Sequence, residues 1–200
     1  MKSNAFSLVR FVGLCAVFIL VQNSAAFASG TKNHYADFTK RNIKSLSNED
    51  IAALQAGSGW GLALPAELNG WPGPKHVLEL KSELDLSEEQ IDEITAIFQA
   101  MQKQAITAGE TYIEAEEALS RAFEHGHIDE ARLSTLLSDA ATARGALRNI
   151  HLSAHLTTPA ILTPEQIQKY NQLRGYTDDP CASVPEGHDP NMWRKHNGCD

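Results

Sequence analysis

The segment AILTPEQIQKY, residues 160–170, carries a complete set of signals for the start of a helix. Thr163 can cap the helix with its hydroxyl, and Pro164 suits the first helical position, where no backbone N–H is needed. Gln166 stands three residues after the cap and can reach back to its backbone amide, which completes a capping box. We therefore predict a helix from residue 164 to about residue 173.

The same signal occurs 76 positions earlier, in LDLSEEQIDEI, residues 84–94. Here Ser87 is the predicted N-cap and Gln90 is the residue that returns to it. Leu86 and Leu162 come directly before the two caps, and each supplies the first half of a hydrophobic staple. The two copies thus predict two helices that begin at fixed angles, which is a structural role and not a catalytic one.

Two long amphipathic stretches separate the copies. Apolar residues recur every three or four positions, which is typical of helices that pack along their whole length. We predict one helix from about residue 87 to residue 124 and a second from about residue 130 to residue 157, with Asp129 as its N-cap. The apolar positions are Ile91, Ile94, Phe98, Met101, Ala105, Ala108, Tyr112, Ala115, Leu119 and Ala122, then Leu133, Leu136, Ala140, Ala143, Leu147, Ile150 and Ala154.

Two long helices joined by a short turn make an antiparallel hairpin. No segment shows the sustained alternation that marks strands, so the predicted fold class is all-α. Shorter helices are expected near residues 48–56 and 74–83. These are expected to be too short to cover the apolar stripes of the hairpin, which favours a second copy of the chain as the cover and predicts a homodimer.

The segment GWGLALPAELNGWPGP, residues 59–74, is rich in glycine and proline and is not expected to be helical. One interpretation is that it wraps across the hairpin and covers part of its apolar stripe. The other is a partner-binding loop that uses Trp60 and Trp71 as anchors.

The first 28 residues have the pattern of a signal peptide. Lys2 and Arg10 are basic, residues 11–21 are apolar, and residues 26–28 form a small-x-small cleavage site. An uncleaved anchor is the alternative, but the apolar run is shorter than the roughly 20 residues that a spanning helix needs. We expect residues 29–200 to be exported to the periplasm, with no stable membrane insertion after cleavage.

The charge of the remaining chain narrows the range of partners. Residues 29–200 hold 15 Lys and Arg against 25 Asp and Glu, a net charge of −10. Nucleic acids and anionic membranes both require a basic surface, so neither is an expected partner. The two cysteines of this part, Cys181 and Cys199, are predicted to form a disulfide in an oxidising compartment. A zinc site that combines them with His188 and His196 is a less favoured alternative.

Three common catalytic signatures are missing from the sequence. It contains no glycine-rich phosphate loop, no serine elbow and no HExxH motif. We therefore predict a protein without catalytic residues.

The two L-[TS]-x-x-Q motifs around a predicted hairpin, behind a signal peptide, resemble the Spy/CpxP family of periplasmic proteins. The resemblance covers roughly residues 74–176. It implies hairpins that pair into a dimeric cradle, and an envelope-stress factor that binds misfolded proteins or a regulatory sensor protein. It also divides the chain into a signal peptide (1–28), an N-terminal short helix and loop (29–73), a hairpin domain (74–176) and an irregular tail (177–200).

The metal-linked relatives ZraP and CnrX imply an alternative function, which is sensing of or resistance to a transition metal such as zinc, nickel, cobalt or copper. His151 and His155 stand four residues apart and share one face of the second long helix, so both imidazoles can bind one divalent metal. His76 is the candidate third ligand, because metal-binding relatives use histidines from an early helix and the last long one.

The capping motif leads to a first prediction. Thr163→Ala removes the acceptor for the first-turn amides while leaving the apolar surface almost unchanged. Urea unfolding should show a loss of about 0.5–2 kcal/mol in the free energy of unfolding. Loss of function in an equally stable Thr163→Ala protein would contradict the structural interpretation of the motif.

Overall fold

The computed structural model describes residues 35–177, 181, 183–184, 186–196 and 199. The predicted signal peptide lies outside these residues. The described chain contains helices and no strand, which confirms the all-α prediction. Seven α-helices follow one another: α1 (Asn48–Gln55), α2 (Leu64–Glu67), α3 (Pro74–Glu79), α4 (Glu88–Glu124), α5 (Glu130–Thr157), α6 (Pro164–Leu173) and α7 (Pro190–His196). Two 3-10 helices, Ala36–Lys40 and Thr158–Ile161, complete the order.

The predicted hairpin is confirmed, and both long helices have the expected bounds. α4 and α5 pack against each other along their length. Asp129 caps α5 as expected, since its carboxylate accepts the Arg132 N–H at 2.8 Å. All the apolar positions predicted for the two helices are buried or partly buried. The hairpin is therefore held together by the stripe that the periodicity identified.

Two segments hold more helix than expected. The segment of residues 59–74 contains α2, a single turn whose Pro65 lies at the helix start, where a missing N–H does no harm. The tail after residue 177 contains α7, which begins where the Asp189 carboxylate accepts the Met192 N–H at 2.9 Å. Cys181 and Cys199 are joined in a disulfide with a Cα–Cα distance of 5.4 Å. Because both sulfur atoms are in the disulfide, neither cysteine can be a thiolate ligand of the alternative zinc site.

The hairpin stripe is covered largely by the chain's own N-terminal part. Four residues of this part, Ile43, Leu46, Leu54 and Leu62, form one core with Ala105, Tyr112, Ala143 and Leu147 of the hairpin. Gly109 allows the close approach, because a Cβ there would lie 2.6 Å from the Leu54 carbonyl oxygen. Residues 43–62 therefore fill the place for which a second copy was expected, and the dimer stays a prediction.

A second core closes the end of the hairpin at which α4 begins and α5 ends, called here the motif end. Its buried residues are Val77, Leu84, Ile94, Leu162 and Tyr170. Both capping boxes are complete at this end. The Ser87 and Thr163 hydroxyls each accept an N–H at 3.2 Å, from Gln90 and Gln166 respectively.

The two motif glutamines also bind each other across the motif end. Gln90 donates from Nε2 to Oε1 of Gln166 at 2.8 Å, and Gln166 donates back to Oε1 of Gln90 at 3.1 Å. Their remaining amide hydrogens bind backbone carbonyls, at 2.8 Å on Ile161 and 3.2 Å on Leu84. Each Oε1 also accepts the N–H of its own cap residue, at 3.1 Å from Ser87 and 2.9 Å from Thr163. Every donor and acceptor of both amides is used.

None of the helices within the described residues combines the length and the hydrophobicity that a membrane crossing requires.

The glutamine pair gives the second prediction. Gln90→Ala and Gln166→Ala should each lower the free energy of unfolding by about 1–3 kcal/mol, because part-buried partners are left unbonded. The double variant should lose about 1 kcal/mol less than the sum, since each single change already breaks the shared bonds. Urea unfolding followed by circular dichroism measures all three values.

Gln104→Ala is the matched control, because Gln104 is exposed on α4. Its effect should stay within about 0.5 kcal/mol. Strict additivity of the two motif substitutions would show that the glutamines do not act as a pair.

Candidate functional site

A buried carboxylate lies at the centre of the candidate site. Glu67, on α2, is 5% exposed. Its Oε1 accepts the hydroxyls of Tyr170 and Tyr176 at 2.5 and 3.0 Å. His76 Nδ1 lies 3.1 Å from the same oxygen and Arg174 Nε lies 3.5 Å away. Glu67 thus joins α2 to α3, to α6 and to the residues that follow α6.

These contacts keep Glu67 ionised. Burial raises the pKa of the carboxyl group, but the hydrogen bonds from His76, Tyr170 and Tyr176 outweigh burial and lower the pKa to about 2. Burial and the Glu67 charge both raise the pKa of Tyr170, so this phenol stays protonated and acts as a donor. The cluster is therefore a carboxylate held by two phenol hydroxyls, one imidazole and one guanidinium.

His155 fixes the segment between α2 and α3. Its Nδ1 donates to the carbonyl oxygen of Trp71 at 2.8 Å, so Nδ1 carries the proton. The other edge of the ring lies against the backbone of Gly73, where a Cβ would come within 2.5 Å of Cε1 and Nε2. Only a glycine leaves room for the imidazole at this point. The segment is clamped to α5 by one side chain.

His151 is buried near His155, and one of its ring nitrogens has no hydrogen-bond partner among the described residues. The residue is 3% exposed, and its Nε2 is buried with no hydrogen-bond partner among the described residues. Burial lowers the pKa of the ring, and the nearby His155 lowers it further. His151 is therefore neutral at pH 7, and its Nε2 is an unmet hydrogen-bonding group.

A cavity of about 430 Å³ lies between the α2–α3 segment and the hairpin. We call it the α2 cavity. The three histidines predicted as metal ligands, His76, His151 and His155, all line it, together with Glu67. The sequence analysis thus identified residues that the fold brings together. Across the described ranges, however, no three His, Cys, Asp or Glu side chains are grouped so that they could hold a metal ion.

Three exposed apolar side chains lie on α2 or just after it. Leu64, Leu68 and Trp71 are 51%, 58% and 46% exposed, and we call these three residues the α2 face. Trp60 does not belong to it. Its indole N–H donates to Asp50 at 2.8 Å and its ring packs on Tyr112. The first half of residues 59–74 therefore covers part of the hairpin, as one interpretation expected, and the second half presents exposed apolar groups. The partner-binding interpretation stays a prediction.

Sequence reasoning missed Glu67, the residue that organises the site. The available signal was an acidic residue in an otherwise apolar, glycine- and proline-rich segment, ALPAELNG. Such a residue is rarely buried unless it is paired, and its two tyrosine partners lie more than 100 positions away, in α6 and beyond. No spacing rule connects positions that far apart.

The comparisons with known proteins agree with the motifs. A family model described as "LTXXQ motif family protein" matches residues 73–174. No curated protein and no solved structure matches the chain significantly. The matched span includes both motif glutamines and all three cavity histidines. It leaves out Glu67, the α2 face and Tyr176.

The Glu67 cluster gives the third prediction. Because the pKa of Glu67 is lowered to about 2, its stabilisation is complete above about pH 4.5 and is lost as the pH falls towards 2. The lost part is on the order of 2–3 kcal/mol. Glu67→Gln should lower the free energy of unfolding at pH 7 and flatten its decline below pH 4.5, as measured by urea unfolding at pH 7, 4.5 and 3.

Glu79→Gln is the control, since Glu79 forms a half-exposed ion pair with Lys75 at 3.9 Å. This change should lower the free energy of unfolding at pH 7 by less than about 1 kcal/mol. A Glu67→Gln protein with the wild-type stability at pH 7 and pH 3 would rule out the carboxylate as a stabilising centre.

Proposed function

The chain belongs to the LTXXQ motif family, the Spy/CpxP-type family, and from this premise we propose that it is a periplasmic, non-enzymatic envelope-stress factor that binds unfolded proteins. Members of the family are typically periplasmic and are in general not enzymes. The clients are segments of polypeptide whose apolar side chains have become exposed. Binding needs an apolar surface that stays in place without a client, and the α2 face meets this requirement.

The observation that carries the proposal is that the α2 face has exposed apolar side chains and an anchored backbone. Leu64 and Leu68, four residues apart, are about half exposed, while Glu67 between them is buried in its cluster. The Trp71 carbonyl is bound by His155. Because the backbone is already fixed, little conformational entropy is lost when a client binds.

The acidic character of the chain fits a transient binder. Its net charge keeps the chain soluble while it displays apolar groups. The α2 face is equally suited to the apolar surface of a regulatory sensor protein, which is the second kind of partner that the family implies. A homodimer remains part of the proposal.

Metal sensing has weaker support. In its favour, His76, His151 and His155 line the same cavity. Against it, His155 Nδ1 is bound to Trp71 and the Nε2 edge of the same ring is covered by Gly73. His76 Nδ1 is engaged by Glu67. These contacts give two of the three histidines a structural role.

The fourth prediction tests client binding. Leu68→Ser with Trp71→Ser should weaken binding of a reduced, urea-unfolded client about tenfold or more, since buried apolar anchors carry most of the energy of such contacts. The measurement is light scattering of the client diluted into buffer without ATP, at several ratios of chain to client.

Phe123→Ser with Leu137→Ser is the matched control. Phe123 and Leu137 are 58% and 49% exposed, close to the values for Leu68 and Trp71, but they lie near the opposite end of the hairpin. Equal suppression of aggregation by both double variants would remove the α2 face from the proposal.

A further inference from the structure

We propose that the α2 cavity accepts one phenol group, carried by a tyrosine side chain of a polypeptide bound at the α2 face. This inference rests on the proposed function and specifies the chemistry of its client. The cavity has a suitable size, apolar walls and a position beside the α2 face. Two of its lining residues, His151 and Glu67, also have a buried side-chain atom, Nε2 and Oε2 respectively, without a hydrogen-bond partner among the described residues.

The cavity has the size and the walls that an aromatic ring requires. Its volume of about 430 Å³ falls within the range of roughly 300–1,000 Å³ usual for small-molecule sites. Phe98 and Met101 of α4 and the ring of Trp60 supply the apolar lining. A methionine thioether adapts to a planar guest and makes favourable contacts with aromatic rings. These walls favour an apolar, planar group.

The buried His151 Nε2 favours a ring that carries a hydroxyl group. His151 lines the cavity and its Nε2 is buried without a partner among the described residues. A neutral imidazole nitrogen is a donor in one tautomer and an acceptor in the other, and a phenol hydroxyl can serve either. An indole can only donate and so fits one tautomer of His151, while the rings of phenylalanine and toluene fit neither. A phenol is therefore the aromatic group that matches the walls and either tautomer of His151.

The charges around the cavity disfavour ionic guests. Glu67 repels an anion, and its charge is already balanced by Arg174 at 3.5 Å. A buried cation would lose its hydration for little gain. A neutral guest avoids both costs.

The cavity and the α2 face are continuous. Leu64 belongs to the α2 face and also lines the cavity. A polypeptide held on Leu64 can therefore direct one side chain inward while its backbone stays on the surface. The cavity then adds selectivity to a surface that is otherwise only apolar.

The fifth prediction compares p-cresol, which is the tyrosine side chain with a methyl group at the point of attachment, with toluene. Titration of the ¹⁵N-labelled mature chain, followed by amide chemical shifts, should show p-cresol binding roughly three- to tenfold more tightly, the effect of about one net hydrogen bond. Equal affinity for the two ligands would overturn the proposal.

Two glycine variants test the location. A Cβ at Gly59 meets nothing within 4 Å and Gly59 lines the cavity, so Gly59→Leu should fold normally and block the guest. Gly145→Leu is the control, because Gly145 also has open space and lies on the exposed side of α5. Affinity for p-cresol should fall about tenfold or more in Gly59→Leu alone. Unchanged binding by a folded Gly59→Leu protein would place the guest elsewhere.

His151→Leu tests the polar contact, since it removes the nitrogen and keeps an apolar wall. It should bind toluene as the wild type does and lose the preference for p-cresol. A preference that survives in His151→Leu would show that His151 does not select the hydroxyl.

Short peptides identify the source of the phenol. Gly-Gly-Tyr-Gly-Gly should bind and Gly-Gly-Phe-Gly-Gly should bind less, which supports a side chain as the guest. Binding of p-cresol without the tyrosine peptide would overturn the polypeptide source and leave a free phenol. Suppression of client aggregation without any p-cresol preference would reject this inference alone, and a p-cresol preference without suppression would reject the proposed function alone.

Discussion

The reciprocal hydrogen bonds between Gln90 and Gln166 are the constraint on which the rest of the structure depends. Each amide completes the cap of its own helix and, at the same time, holds the cap of the other. The start of α4 and the start of α6 are therefore fixed as one unit, although 76 residues separate them. An amide can do this because it has two donors and an acceptor with two lone pairs. A glutamate could cap its own helix, but two glutamates here would repel each other.

The position of α6 in turn determines where the partners of Glu67 lie. α6 carries Tyr170, and the chain just after it supplies Arg174 and Tyr176. These three residues surround Glu67 and so hold α2 against the hairpin. The family motif thus supports a segment that lies outside the matched span. The motif end is a scaffold, and the surface proposed for client binding is an addition to it.

Local patterns predicted most of the fold. The bounds of α4, α5 and α6, the capping boxes and the hairpin follow from periodicity and cap residues, which act over a few positions. The position of residues 43–62 could not be predicted in this way, because their contacts with Tyr112 and Leu147 depend on the tertiary structure. The same holds for the site. The histidines share a helix face that can be read from spacing, whereas the partners of Glu67 are brought together by the glutamine pair.

The glycine at position 109 has a consequence for anything that approaches the hairpin. It lets the end of α1 lie directly on α4, and residues 43–62 then occupy the part of the stripe that contains Ala105 and Ala143. A ligand for that stripe would compete with a segment of the same chain, present at a high effective concentration. It would also have to replace the burial of Ile43, Leu46, Leu54 and Leu62, at roughly 1.5–3 kcal/mol for each side chain. The stripe is in this sense already occupied by the chain itself, whereas Leu64, Leu68 and Trp71 of the α2 face are exposed.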